Sequence, residues 1–167
     1  VILVSVRPFS EATMPSYEEP PPDLSGDPDV AGGFAALGLG DSQAALERFR
    51  AAARRHPAQP EPWIQQARIH RLWKESAQAL SLLEKARALD PEYATTHYLL
   101  GECLDDLGRM DEAAASFLEA ARLAPGDARP YFRLGRIADL KSQNTVAIQR
   151  YREALDRDPA FSAAAHY

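Results

Sequence analysis

Residues 94–127 read ATTHYLLGECLDDLGRMDEAAASFLEAARLAPGD, and the chain around them repeats their pattern at a period of 34 residues. Pro125 closes this stretch, and Pro57, Pro91 and Pro159 hold the same place in units that begin at Gly26, Pro60 and Ala128. The eighth position is always small (Gly33, Ala67, Gly101, Gly135), as are the twentieth (Ala45, Ala79, Ala113, Ala147) and the twenty-seventh (Ala52, Ala86, Ala120, Ala154). The twenty-fourth is bulky: Phe49, Leu83, Phe117, Tyr151. A fixed period of this length marks a stacked repeat array.

Small residues at three phased positions let two helices approach closely, and the bulky residue fills the space between them, as close packing demands. Each unit therefore reads as helix, short turn, helix. Proline ends it, because it cannot continue a helix and biases the preceding residue away from helical geometry. Start and stop signals predict first helices near 28–39, 60–73, 94–107 and 128–141, and second helices near 43–55, 76–89, 111–123 and 145–157. Asp41, Ser76, Asp111 and Asn144 are the expected N-caps of the second helices. Gly40 and Gly108 end the helices before them. No strand pattern is present.

On these residues the chain resembles the tetratricopeptide repeat family over residues 26–161. Unit three carries the fullest set, with Leu100, Gly101, Gly108, Ala113, Phe117, Ala120 and Pro125 in the family places, and Trp63 and Tyr131 fill the position-four aromatic of units two and four. Ala36, His70, Leu104 and Ala138 replace the family's tyrosine at position eleven, and Asp29 replaces the aromatic of unit one. The resemblance implies an all-α, right-handed superhelical solenoid of four antiparallel helix pairs. Gly32, Gly33 and Gly38 each cost about 1 kcal/mol of helix propensity relative to alanine, so the first helix is expected to be the least stable.

A net charge of −5 and a pI near 5.4 argue against a dedicated nucleic-acid binder. Cys103 is the single cysteine, which excludes an intramolecular disulfide; a buried small side chain is the expectation for it. Residues 1–25, rich in proline and acid, read as a disordered linker, and residues 162–167 as the start of a further or capping helix. The last unit would leave apolar surface open, to be covered by more chain or by docking. Val1 to Val6 is apolar but too short to span a bilayer. A soluble cytoplasmic protein is favoured, with an exported or membrane-tethered one as the alternative.

Chemistry-bearing motifs are scarce. There is no phosphate loop, nucleophile elbow or paired-histidine metal motif, so no catalytic residue, metal or cofactor is expected. His70 and His97 are read as structural. Glu102, Asp105 and Asp106 form an acidic trio whose ordinary reading is a solvated helix face.

The resemblance implies a concave groove lined by first helices. The candidate partner-binding residues on it are Arg68, Arg71, Tyr98, Glu102, Asp105, Arg129, Phe132, Arg133 and Arg136, giving a basic, acidic, basic sequence along the groove. Arginine and aromatics are enriched among interface hot spots. The competing reading is that these charges neutralise one another across adjacent helices. One subclass of the family grips the C-terminal carboxylate of chaperone tails with a lysine, asparagines and a basic pair. Arg129 and Arg133 occupy the places of that pair, but Ile64, Arg68 and Leu99 stand where the lysine and asparagines belong. That clamp is disfavoured, and a different acidic or extended peptide is left open. The expected function is a non-enzymatic protein-interaction scaffold holding a peptide segment or helix of a partner. The alternative is a regulatory or substrate-docking portion of a larger enzyme; an RNA-binding repeat is disfavoured because the acidic trio would repel phosphates. On this reading, reversing the charge of Arg129, Arg133 and Arg136 together abolishes partner capture and leaves melting nearly intact.

Overall fold

The computed structural model describes Leu24 and residues 26–159. Among the described residues there are eight α-helices and no strand: α1 (Pro28–Gly38), α2 (Ser42–Arg55), α3 (Glu61–Leu72), α4 (Ser76–Leu89), α5 (Ala94–Asp106), α6 (Met110–Leu123), α7 (Ala128–Leu140) and α8 (Asn144–Arg157). They pair within units and stack between them, each helix packing on the next along the chain, and α3 also touching α5. This is an all-α repeat solenoid, with helix ends within one residue of those expected from sequence. Most of the expected linker, and all of 162–167, lie outside the described residues. Leu24, assigned to the linker, is instead buried against Val30 and Ala52.

The close approach inside each pair follows from position eight. A Cβ on Gly33 would lie 2.6 Å from the Phe49 ring, and on Gly101 and Gly135 it would lie 2.6 Å and 2.7 Å from the Phe117 and Tyr151 rings. Unit two carries Ala67 there, and its position twenty-four is the smaller Leu83; both are buried in one cluster with Ile64, Leu99 and Leu100. Clusters of this kind join one unit to the first helix of the next: Leu104, Ala113 and Phe117 of unit three pack with Leu134 and Ile137 of α7. Neither helix pair could bury these faces alone. Cys103 lies within the unit-two cluster, fully buried.

The turns inside the pairs share one construction. The N–H groups of Gly40, Lys74, Gly108 and Ser142 reach the carbonyls of Leu37, Arg71, Asp105 and Asp139 at 2.8–3.0 Å. Those of the following residues, Asp41, Glu75, Arg109 and Gln143, reach back to Ala36, His70, Leu104 and Ala138 at 2.8–2.9 Å. This double closure needs a left-handed residue after the helix, and the four have φ of 77°, 64°, 75° and 58°. Glycine fills that place twice; Lys74 and Ser142 adopt it with a Cβ.

The residue that completes the closure is also the N-cap of the next helix, which corrects three of the expected caps. Ser76 and Asn144 are the first helical residues of α4 and α8, and Asp111 is the second of α6; the caps are Glu75, Gln143 and Arg109, without a side-chain cap hydrogen bond. Only Asp41 caps as expected, accepting from the Ala44 N–H at 2.9 Å. Asp27 caps α1, accepting from the N–H groups of Asp29 and Val30 at 2.8 and 3.0 Å. Burial works to raise its carboxyl, but hydrogen bonds from Val30, His56 and Asp29, with the Arg55 charge, outweigh it and hold the group below its usual value.

Candidate functional site

The inner faces of α3, α5 and α7 meet along a ladder of charges. Glu102, on α5, is 6% exposed and lies at its centre. Arg71 of α3 and Arg133 of α7 both donate to it, one to each oxygen, and Tyr98 donates to it from one turn earlier at 3.3 Å. Arg71 also reaches Asp106 at 3.1 Å, and Arg136 donates to Asp105. Arg133 donates to the Tyr98 hydroxyl at 3.3 Å. Arg129 is held by Asp127 at 2.7 Å, with its guanidinium 5.0 Å from the centre of the Tyr98 ring.

Mutual neutralisation across adjacent first helices is thus the arrangement adopted by Arg71, Glu102, Asp105, Arg133 and Arg136. The acidic trio is not a bare solvated face: each of its carboxylates accepts from an arginine. The aromatics are also committed inward. Tyr98 packs on Phe117 and Phe132 on Tyr151, ring centres 5.6 Å apart in both pairs. Burial and the Glu102 charge push the Tyr98 phenol up, with Arg133 only partly offsetting them. Charge reversal of Arg129, Arg133 and Arg136 would therefore set new carboxylates against Glu102 and Asp105. Melting would fall, contrary to the expectation from sequence.

A register rule underlies the ladder. The pairs Arg71–Glu102, Glu102–Arg133 and Asp105–Arg136 are each separated by 31 residues, one helical turn short of the repeat period. Arg68 falls outside it. The residues thirty-one before and after Arg68 are Leu37 and Leu99, and among the described residues no carboxylate reaches it. Its Nε is buried without a hydrogen bond. Three residues earlier, Gln65 is 1% exposed, and its Oε1 is likewise buried and unpaired. The Gln65 amide nitrogen donates to Glu61 at 2.5 Å, which fixes the side chain along the helix. Glu61 and Gln65 fall on the inner-face line of unit two that helical spacing gives from sequence, but not among the candidate partner-binding residues; the interruption of the 31-residue charge complement at Arg68 was the available signal.

Other polar groups are structural. His70 contacts Glu75 at 2.6 Å and His97 contacts the Pro91 carbonyl at 2.8 Å. Burial pushes the Cys103 thiol up to about 12, with Asp106 and Glu102 adding to the shift and Arg71 opposing it. Among the described residues no three His, Cys, Asp or Glu side chains are grouped to hold a metal ion, and no helix is long and apolar enough to cross a membrane. On α8, Val146 and Ile148 are exposed on either flank of the buried Ala147.

Four phased helix pairs with a charge-locked inner face define a helical-repeat solenoid. The chain belongs to the tetratricopeptide repeat family, whose models match residues 31–72, 75–128 and 128–161. It is similar to the cell division cycle protein 27 homolog of Caenorhabditis elegans, with 32% identity over 100 residues, 60% of this chain but 13% of that protein. Among solved structures it resembles MamA, at a TM-score of 0.73 and 23% identity over 87% of this chain and 86% of that one. It also resembles YrrB, described as a tetratricopeptide repeat protein with an unusual peptide-binding site, at 0.72 and 21% over 83% and 71%. These two likenesses establish the fold.

Proposed function

We propose that the chain binds an extended peptide segment of a partner along the inner faces of α1, α3, α5 and α7, and acts by binding rather than by catalysis. The observation that carries this reading is the floor itself. Arg71, Glu102 and Arg133 fix one another across three helices and Arg136 holds Asp105, so a ligand meets side chains already immobilised, and binding to preorganised groups forfeits less entropy. The half-buried faces of Tyr98 and Phe132 supply flat apolar contact beside them. YrrB, which shares this fold and is described as having an unusual peptide-binding site, agrees with this reading.

A second reading, a docking portion of a longer protein, is favoured by one observation: the region matched in the C. elegans relative is 13% of its length. Both readings place the work on the same surface.

The test is selection of a displayed random dodecamer library on the full chain, with enriched sequences re-made as synthetic peptides and titrated by fluorescence anisotropy. Convergence on a sequence class with saturable binding supports the reading. Absence of any enriched sequence refutes it.

A further inference from the structure

Resting on that reading, we infer that the groove's specificity anchor is Arg68 with Gln65, and that it takes the carboxylate of an internal Asp or Glu side chain of an extended peptide. Arg71, Arg129, Arg133 and Arg136 each already hold a carboxylate of this chain. A ligand acid approaching any of them must displace an internal partner, and a buried one at Glu102. Among the described residues Arg68 has none to displace. Leu37 and Leu99 occupy the places from which the 31-residue register would supply one, so its positive charge is uncompensated in a partly desolvated setting, where a charge-assisted hydrogen bond is strongest.

Gln65 adds the second element. Its amide is held by Glu61 so that Oε1 is left as an acceptor one turn from Arg68, a spacing at which helix side chains are neighbours. With Oε1 itself out of contact with solvent, Gln65 braces the floor beside Arg68, and the ligand is met by the exposed part of the arginine. Glu61 sets a limit in the other direction. It is buried on the same face, seven residues and about 10 Å along α3 from Arg68. A ligand acid is therefore favoured where the peptide passes Arg68 and disfavoured toward the Glu61 end of α3. The groove continues past Arg68 on both sides, through unit one and unit three, so the acid is an internal side chain rather than a chain end.

Dodecamers displayed at the N-terminus of a phage coat protein have no free carboxyl end, so the selection itself probes side-chain acids. The expected result is enrichment of one Asp or Glu at a fixed position. Arg68→Gln, and Glu→Gln or Asp→Asn in the peptide, then each weaken binding by about tenfold to a hundredfold, the range for a hydrogen bond to a charged group. Combining the two changes adds little further loss. Arg68→Lys, which keeps the charge without the planar fork, falls in between, and Arg122→Gln, on the second helix α6 and paired with Glu119, leaves affinity within about twofold. Thermal melts of each variant separate lost binding from lost fold; should Arg68→Gln fail to fold, Arg68→Lys and the substituted peptide carry the test. Peptides re-made with free and with amidated carboxyl ends are expected to bind equally, and a requirement for the free end overturns the side-chain assignment. Enriched peptides without an acid, bound equally by Arg68→Gln, overturn the inference while leaving the groove reading in place. If nothing is enriched, both fall.

Discussion

Replacing Gly101 by alanine tests the packing rule that sets the distance between the helices of a unit. A Cβ there would lie 2.6 Å from Cε1, 2.7 Å from Cδ1 and 2.9 Å from Cζ of Phe117. The ring cannot swing aside, because it is fully buried among Leu104, Ala113, Leu134 and Ile137. Overpacking of this kind costs about 1–3 kcal/mol. Alanine in place of an interior helical glycine returns about 1 kcal/mol. The expected net loss is therefore about 1 kcal/mol, taking the middle of the overpacking range. Unit two shows how the conflict is resolved, with Ala67 paired to Leu83. In a Phe117→Leu background the clash is gone, and Gly101→Ala should instead stabilise by up to about 1 kcal/mol. Urea unfolding of the four proteins, followed by circular dichroism, closes a double-mutant cycle with a coupling of about 2 kcal/mol. If Gly101→Ala stabilises both backgrounds by the same amount, the steric account of position eight is wrong.

Lys74→Gly and Ser142→Gly should each raise stability by about 0.5–1 kcal/mol, because a left-handed residue with a Cβ costs about 1–2 kcal/mol and glycine's extra unfolded-state entropy offsets part of it; a thermal melt that falls for both refutes this. Glu102→Gln should destabilise by about 1–3 kcal/mol, less than a fully buried break because Arg71 and Arg133 retain some water, and a urea midpoint unchanged from wild type would show the ladder to be energetically idle. Asp27→Ala should cost about 1 kcal/mol at neutral pH as a lost cap. Because the folded carboxyl lies below its ordinary 3.8, that contribution is complete above the unfolded value and is lost as pH falls through the folded one. The gap from wild type should therefore narrow below about pH 4, and a gap that widens there refutes the assignment.

The periodic small and bulky positions made the helix pairs legible to within a residue, because packing at positions eight, twenty, twenty-four and twenty-seven is a local constraint repeated four times. The caps were less legible. Ser76, Asp111 and Asn144 have the chemistry of N-caps, but the doubly closed turn ends the first helix and begins the second on one shared residue. No room is left for the cap one position later. The groove residues were correctly placed on first helices, yet their pairing was not, since Arg71, Glu102 and Arg133 lie 31 residues apart and meet only once the stacking offset between units is known. The same offset reveals Arg68 as the arginine that the register leaves without an acid.

The most direct measurement is an amide and arginine side-chain NMR map of the full chain with an enriched dodecamer bound. Perturbations concentrated on α3, α5 and α7, with the Arg68 Nε–H resonance among the largest, are the expected result. Perturbations confined to the second helices α2, α4, α6 and α8 would contradict binding in the groove.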